Sequence, residues 1–476
     1  MANVMQIATK EDEELKYPND FADEVTKRWT QLKFPPSSPQ NASITEPQAR
    51  RIVLRGVESA CPDLDILKEL VGILYHVSFL TEESRKLAVR ISYLTPEDFK
   101  NKSPDERLTH NHPVVFSSPI PFTTKEVMRL APSIDPTRSV LVICRGNIVG
   151  SSGSLVIWGI MHLGDEWWRL TSGRSSGAMV PPRCLTLSTF APGNITATVS
   201  GTVLLRLQNG HFLSDALQGL RTGPVARFLQ SGADKLYQET LQRLGLQKFS
   251  QNPDEDSVPQ RLYYQVFENI LKFAAEHRHG ATFVIFPDGT SADDSRLKKR
   301  IVMKYSTGAS ALWPELLAEC VAYHKYFGHM SEGGSLLQNA NATPSQLKEM
   351  HVWNGIWESK QQVVTGLESF IADLSGVDGV VVLSTGCKLL GFGGEIIVPN
   401  ATEMEVKEAR DTNATKLTPV KIDSYGTRHR SAFRLCSSFE DCIVLIVSQD
   451  GGAKAVKRIG EHVVLWNNVD LRPYAL

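Results

Sequence analysis

Three short runs in the second half of the chain constrain its fold more than any other feature. They are "ATFVIFP" (281–287), "VVVLS" (380–384) and "CIVLIVS" (442–448). Each is almost wholly apolar and rich in β-branched or aromatic residues, and each is too short for a core helix. A strand without a polar side is one that is covered on both faces. Helical spacing fills the stretches before them: "QRLYYQVFENILKFAAEHRHG" (260–280), "WNGIWESKQQVVTGLESFIADLSG" (353–376) and "TRHRSAFRLCSSFED" (427–441). Helices alternating with doubly covered strands predict an α/β domain with helices on both faces of a sheet.

The first half has a different texture. "KFPPSSPQNASITEPQ" (33–48) is a loop, and "PDLDILKELVGILYHVSFLTEES" (62–84) reads as a helix with Leu64, Leu67, Leu70, Val71 and Leu74 on its apolar face. From about 138 strands take over. "SVLVICRG" and "SLVIWGIMH" flank a Gly/Ser-rich turn, and "PGNITATVSGTVLLRLQNG" (192–210) holds two strands joined at Ser200–Gly201. A helical stretch covers 211–247. "SQNPDEDSVPQ" (250–260) is polar, acidic and carries two prolines, which marks a boundary. The expected division is a tail at 1–14, an α+β domain at 15–248, a linker at 249–258 and the α/β domain at 259–476.

Charge narrows the function. The 51 basic and 52 acidic residues leave a formal net charge of −1. A broad basic surface for nucleic acid is absent, so any anion site is local. Seven cysteines without a C-x-x-C pair suggest neither a disulfide framework nor a zinc ribbon, and fit a reducing compartment. No basic n-region leads into an apolar run at the N-terminus, and no apolar stretch is as long as a membrane span. A soluble, cytoplasmic protein is expected.

One helix start breaks a local rule. In "SYGTRHRSAF" (424–433), Gly426 suits a tight turn and Thr427 an N-cap, so Arg428, His429 and Arg430 open the helix. Cations there oppose the helix dipole. An anion resolves the conflict, since free N–H groups and two guanidinium forks suit a di- or triphosphate. Arginines pointing into solvent are the plain alternative, and this stretch alone does not decide.

Two further places qualify. Asp378–Gly379 stands at the start of an apolar strand, where an aspartate holds a cation or activates a hydroxyl and a glycine admits close approach. The alternative is a simple turn. Ser448, followed by Gln449 and Asp450, ends the strand from 443, where ligand crevices of α/β sheets form. "FPDGTSADD" (286–294) reads as a loop, "RLKKR" (296–300) as a solvated face, and His324 and His329 as surface residues. "GFGGE" (391–395) lacks the dinucleotide spacing, and no phosphate loop or nucleophile elbow occurs.

Together, Asp378–Gly379, "GTRHRSAF" and the Ser448 strand end resemble the diadenylate cyclase (DAC) domain, whose motifs are Asp-Gly-Ala, Gly-Thr-Arg-His-Arg and Ser-Glu-Glu. "HRHGATFVIFP" (277–287) is similar to the family's His-Gly-Gly-Thr strand. The likeness spans 259–476. "YHVSFLTEESRKLAVRISYL" (75–94) and the 192–210 segment resemble a sensor module, DACNV, that precedes such domains.

The resemblance implies a mixed β-sheet with helices on both faces and condensation of two ATP into cyclic di-AMP and two pyrophosphates. It also implies face-to-face domains in a homo-oligomer, Mg²⁺ or Mn²⁺, and an unknown ligand for the first domain. It makes Asp378, Gly379, Arg428, His429 and Arg430 catalytic. Gly379, Val380, Gly426, Thr427, Arg428, His429, Arg430 and Ser448 bind ATP, and Asp378 and Asp450 hold metal. Membrane tethering and DNA binding are not carried over. Val380 replaces the family's alanine, and Gln449–Asp450 replaces Glu-Glu with one less negative charge. Those departures leave a second possibility, a nucleotide-binding sensor without turnover, and a third, a nucleotidyltransferase with another product.

Overall fold

The computed structural model describes residues 15–32, 59–100, 112–162, 184–213, 220–248, 258–331, 343–398, 405–448 and 452–469, apart from gaps at 83–84, 136–137, 152, 191, 200–201, 209, 278 and 309–310. The expected linker therefore lies almost wholly outside the described residues, as do Gln449 and Asp450.

A two-residue ribbon, β1 (Thr81–Glu82) with β2 (Arg85–Lys86), comes first. The helix before it ends at Ser78, short of the predicted 84. An eight-stranded sheet follows, of β3 (Val89–Tyr93), β4 (His112–Pro121), β5 (Ser139–Arg145), β6 (Leu155–His162), β7 (Leu185–Thr189), β8 (Ile195–Val199), β9 (Thr202–Gln208) and β10 (His211–Leu213). Their order is β10-β9-β8-β7-β3-β5-β6-β4. Among the described residues of this sheet, only β3 and β5 pair in parallel. The two expected hairpins form, β5 with β6 and β8 with β9. Helices Pro18–Gln31, Leu64–Ser78 and Thr124–Leu130 cover one face, closing a core around Phe21, Leu67, Leu70, Val127, Ile91 and Leu141.

The second sheet has nine strands: β11 (Ala281–Phe286), β12 (Ile301–Ser306), β13 (Val380–Ser384), β14 (Leu389–Ile396), β15 (Val406–Ala409), β16 (Leu417–Pro419), β17 (Ile443–Val447), β18 (Ala453–Ile459) and β19 (His462–Val469). Their order is β12-β14-β13-β11-β17-β18-β19-β15-β16. The pairs β11–β13 and β15–β19 are parallel and the others antiparallel, so the sheet is mixed.

The three apolar runs are its centre, and their alternate residues divide between two cores. Phe283, Ile285, Val381, Leu383, Ile443 and Leu445 face helices Gly223–Leu244, Val258–Glu276, Leu312–Ser331 and Pro344–Asp373. Val284, Phe286, Val380, Val382, Val444 and Ile446 face helix Thr427–Ser438 through Ala432, Phe433 and Leu435. Strand side chains alternate by geometry, so a strand covered twice has to be apolar throughout.

Two expectations change. The stretch at 211–247 is β10 followed, after Leu220, by helix Gly223–Leu244. That helix was expected in the first domain. Its Val225, Leu229, Ala233 and Leu236 instead join the second core, each large apolar side chain contributing about 1.5–3 kcal/mol on burial. Gly232 lets it approach the Tyr263 hydroxyl and the Thr385 carbonyl closely, and Tyr263 donates to that carbonyl at 2.6 Å. Arg221 adds a two-pronged pair to the buried Glu268, with both bonds at 2.6 Å. We therefore propose a domain boundary before Leu220.

His324 also departs from its expected surface position. Burial holds its imidazole down, to about 4. The side chain of His329 lies outside the described residues. Among the described residues no helix is long and apolar enough to cross a membrane.

Candidate functional site

Sheet register brings the distant motifs together. Phe283 pairs with Val381 in the parallel β11–β13 ladder, and Ala281 pairs with Val447 in the antiparallel β11–β17 ladder. The starts of β11 and β13 and the end of β17 therefore share one end of the sheet. His279–Gly280 precedes β11, Asp378–Gly379 precedes β13, and Ser448 follows β17. Helix Thr427–Ser438 starts at the same end. Arg428 Nη1 is 2.7 Å from where a Cβ on Gly280 would stand, and Val447 O is 3.2 Å from it. At φ +71° the backbone of Gly280 favours glycine, and the tip of Arg428 lies against it.

The helix start is as bare as a ligand site needs. Its N-cap is Gly426, at φ −67° and ψ 171°, one residue before the expected Thr427, and no side chain caps it. Its first turn has no acidic residue. Gly426, Thr427, Arg428 and Arg430 are exposed. Among the described residues neither Arg428 nor Arg430 has a carboxylate partner. Two exposed guanidinium groups beside uncapped N–H groups suit an oxyanion.

His429 does not belong to that charge, although the sequence allowed three cations in a row. Its half-buried ring lies against Tyr425 at 5.3 Å and Phe433 at 6.4 Å between centroids. Burial first, then the charges of Lys454 and Arg428, hold its imidazole down to about 4. It is neutral near pH 7, and among the described residues its buried Nε2 has no hydrogen-bond partner. The third cation nearby is Lys454, whose Nζ is 5.6 Å from the Tyr425 ring. Nothing in the local pattern "GAKAVKR" singled it out; it arrives through the pairing of Lys454 with Ile446 across β17–β18.

Asp378 is exposed, and its backbone carbonyl accepts from Lys304 Nζ at 3.3 Å. Gly379, at φ +128°, has a reason internal to the fold. A Cβ there would lie 2.6 Å from Gly393 C and 2.7 Å from Gly394 N and O, so the close approach at Gly379 is made by the β14 backbone. The side chain of Val380 is buried at 6% exposure among Val382, Ala432 and Phe433. Its two methyl groups fill that core. Ser448 closes the turn into β18, its N–H donating to Gly452 O at 2.9 Å.

Among the described residues no cluster of three or more His, Cys, Asp or Glu could hold a metal ion. A single exposed carboxylate, Asp378, fits a magnesium-type ion that takes most of its oxygens from water and substrate phosphates, and does not make a protein cage.

Residues 57–162 match the family described as "Probable sensor domain DACNV". No curated protein matches the chain. Among solved structures, a double mutant of DacA from Staphylococcus aureus is 14% identical, with a TM-score of 0.21, over 47% of this chain and 94% of that one. A hypothetical membrane spanning protein from Bacillus cereus is 13% identical, with a TM-score of 0.21, over 51% of this chain and 95% of that one. The match at 57–162 takes in helix Leu64–Ser78 and strands β1 to β6, so the likeness to a probable sensor domain is confined to that part of the chain.

Proposed function

We propose that the chain is a sensor-coupled diadenylate cyclase that condenses two ATP into cyclic di-AMP with loss of two pyrophosphates, in the cytoplasm. One observation carries this reading: Asp378–Gly379, Ser448 and the helix start that bears the exposed Arg428 and Arg430 lie at one end of the sheet. Arg428, Arg430 and the N–H groups after Gly426 hold the triphosphate and offset the charge that grows on the leaving oxygens. Ser448 contributes a hydroxyl to the same edge. Asp378 would hold Mg²⁺ or Mn²⁺, which when bound offsets phosphate charge. His429, neutral and in contact with Tyr425, places the first helical turn. One site binds one ATP, so two domains face each other, each ribose 3′-hydroxyl attacking the α-phosphorus of the other nucleotide.

The test is incubation of the full chain with ATP and manganese, followed by mass identification of the product. Cyclic di-AMP is expected. Turnover to any other nucleotide overturns the product assignment. The replacement of Glu by Gln449 favours a second reading, nucleotide binding without turnover; calorimetric binding of ATP with no product at any protein concentration would establish it.

A further inference from the structure

His279, which lies in the stretch similar to the family's His-Gly-Gly-Thr strand and was given no role there, stands at the same end of the sheet as this site. The β11 registers, continued outward by two residues, place His279–Gly280 between Asp378 on one side and Ser448 on the other. His279 is half-buried. Its Nδ1 is 2.9 Å from Gly280 O. A carbonyl only accepts, so Nδ1 carries the proton and the neutral ring keeps its lone pair on Nε2. That Nε2 is 3.9 Å from the Cβ position of Gly376, on the exposed turn leading to Asp378. Among the described residues nothing donates to it.

The ring is also held in place. His277 stacks on it with centroids 5.6 Å apart and planes 6° apart. His277 is in turn anchored, its Nε2 2.8 Å from Asp373 Oδ1 at the end of helix Pro344–Asp373. An acceptor with a defined tautomer and a braced ring, one residue before the glycine that Arg428 lies against, is what selects a ligand by a hydrogen-bond donor.

We infer that His279 contacts the nucleoside, its Nε2 accepting a hydrogen bond from an O–H or N–H donor of the nucleotide whose phosphates Arg428 and Arg430 hold. This rests on the nucleotide reading above. His277 and Asp373 are positioning residues for it. The donor is either the ribose 3′-hydroxyl or the 6-amino group of the base.

Calorimetric titration of the full chain with ATP, 3′-deoxy-ATP and inosine triphosphate, in EDTA to prevent turnover, separates these. Wild type should prefer ATP over the analogue that lacks the donor. His279→Ala should weaken ATP by about fivefold to tenfold and abolish that preference, and His279→Gln, which keeps an acceptor at the Nε2 position, should restore part of both. Asp373→Asn should narrow the preference at an unchanged melting temperature. If wild type binds ATP and His279→Ala leaves all three affinities unchanged, or lowers all three equally, the inference is overturned and the nucleotide reading stands. If wild type binds none of the three, both fall.

Discussion

At the scale of single residues, two histidines behave as buried neutral groups. His429 and His324 are both held down to about 4, chiefly by burial. Between that value and the ordinary 6.5, the unfolded chain takes up protons that the folded one refuses. Stability from these rings is therefore complete above 6.5 and is lost as pH falls toward 4. The melting temperature should drop over that interval, and replacing both histidines by glutamine should flatten the drop. A slope unchanged by the double substitution would show that the rings titrate normally. A triphosphate beside His429 would draw its imidazole upward, so ATP binding near pH 5 should take up protons, seen as a dependence of the binding heat on the buffer's ionisation enthalpy.

Neighbouring residues in one motif carry different loads. Gly379→Ala places a Cβ against the Gly393–Gly394 backbone at φ +128°, so it should cost at least about 1–3 kcal/mol with or without nucleotide. Val380→Ala removes two buried methyl groups and should cost about 1–2 kcal/mol. Denaturant unfolding of each variant checks both figures. Loss of activity in Gly379→Ala is thus no measure of a nucleotide contact.

At the scale of elements, the sequence resolved what local pattern encodes. β11, β13 and β17 were readable because a doubly covered strand is apolar at every position, and the helices before them because one face repeats at helical spacing. β14 was not, since "LLGFGGEI" has three glycines where side chains would show a period. Those glycines serve neighbouring strands: Gly391 and Gly394 leave no room for a Cβ against Met303, Tyr305, Ile301 and Val380. The helix at 427 was legible as a site because its charges conflict with its dipole. Its cap was displaced by one residue, and His429 proved neutral because of Tyr425 and Phe433, which pattern does not weigh. Lys454 reaches the site through strand register, which no local signal in the chain encodes, and the stretch around His279 was legible only as a family likeness, with no role for the histidine.

At the scale of the whole molecule, helix Gly223–Leu244 decides where the second domain begins. Amphipathic spacing says which face of a helix is buried and leaves open which core receives it. Val225, Leu229, Ala233 and Leu236 pack into the second core, and Arg221 neutralises Glu268 there. A fragment starting at 220 should be soluble and unfold cooperatively. One starting at 259, where composition alone placed the boundary, should expose that apolar surface and leave Glu268 unpaired, a loss of about 3–5 kcal/mol for the broken pair alone. Equal thermal stability of the two fragments would show that the helix is dispensable.

The chain carries a stretch that matches the DACNV sensor family at 57–162 and a mixed α/β sheet whose one end gathers an exposed carboxylate, a hydroxyl and two arginines without a carboxylate partner among the described residues. That these arginines wait for a triphosphate is the central claim. Calorimetric titration of ATP into the full chain and into Arg428→Ala tests it most directly. Each charge-assisted contact is worth about 1.5–3 kcal/mol, so the variant should bind about 10-fold to 100-fold more weakly at an unchanged melting temperature. ATP affinity that is the same in both proteins would contradict the account.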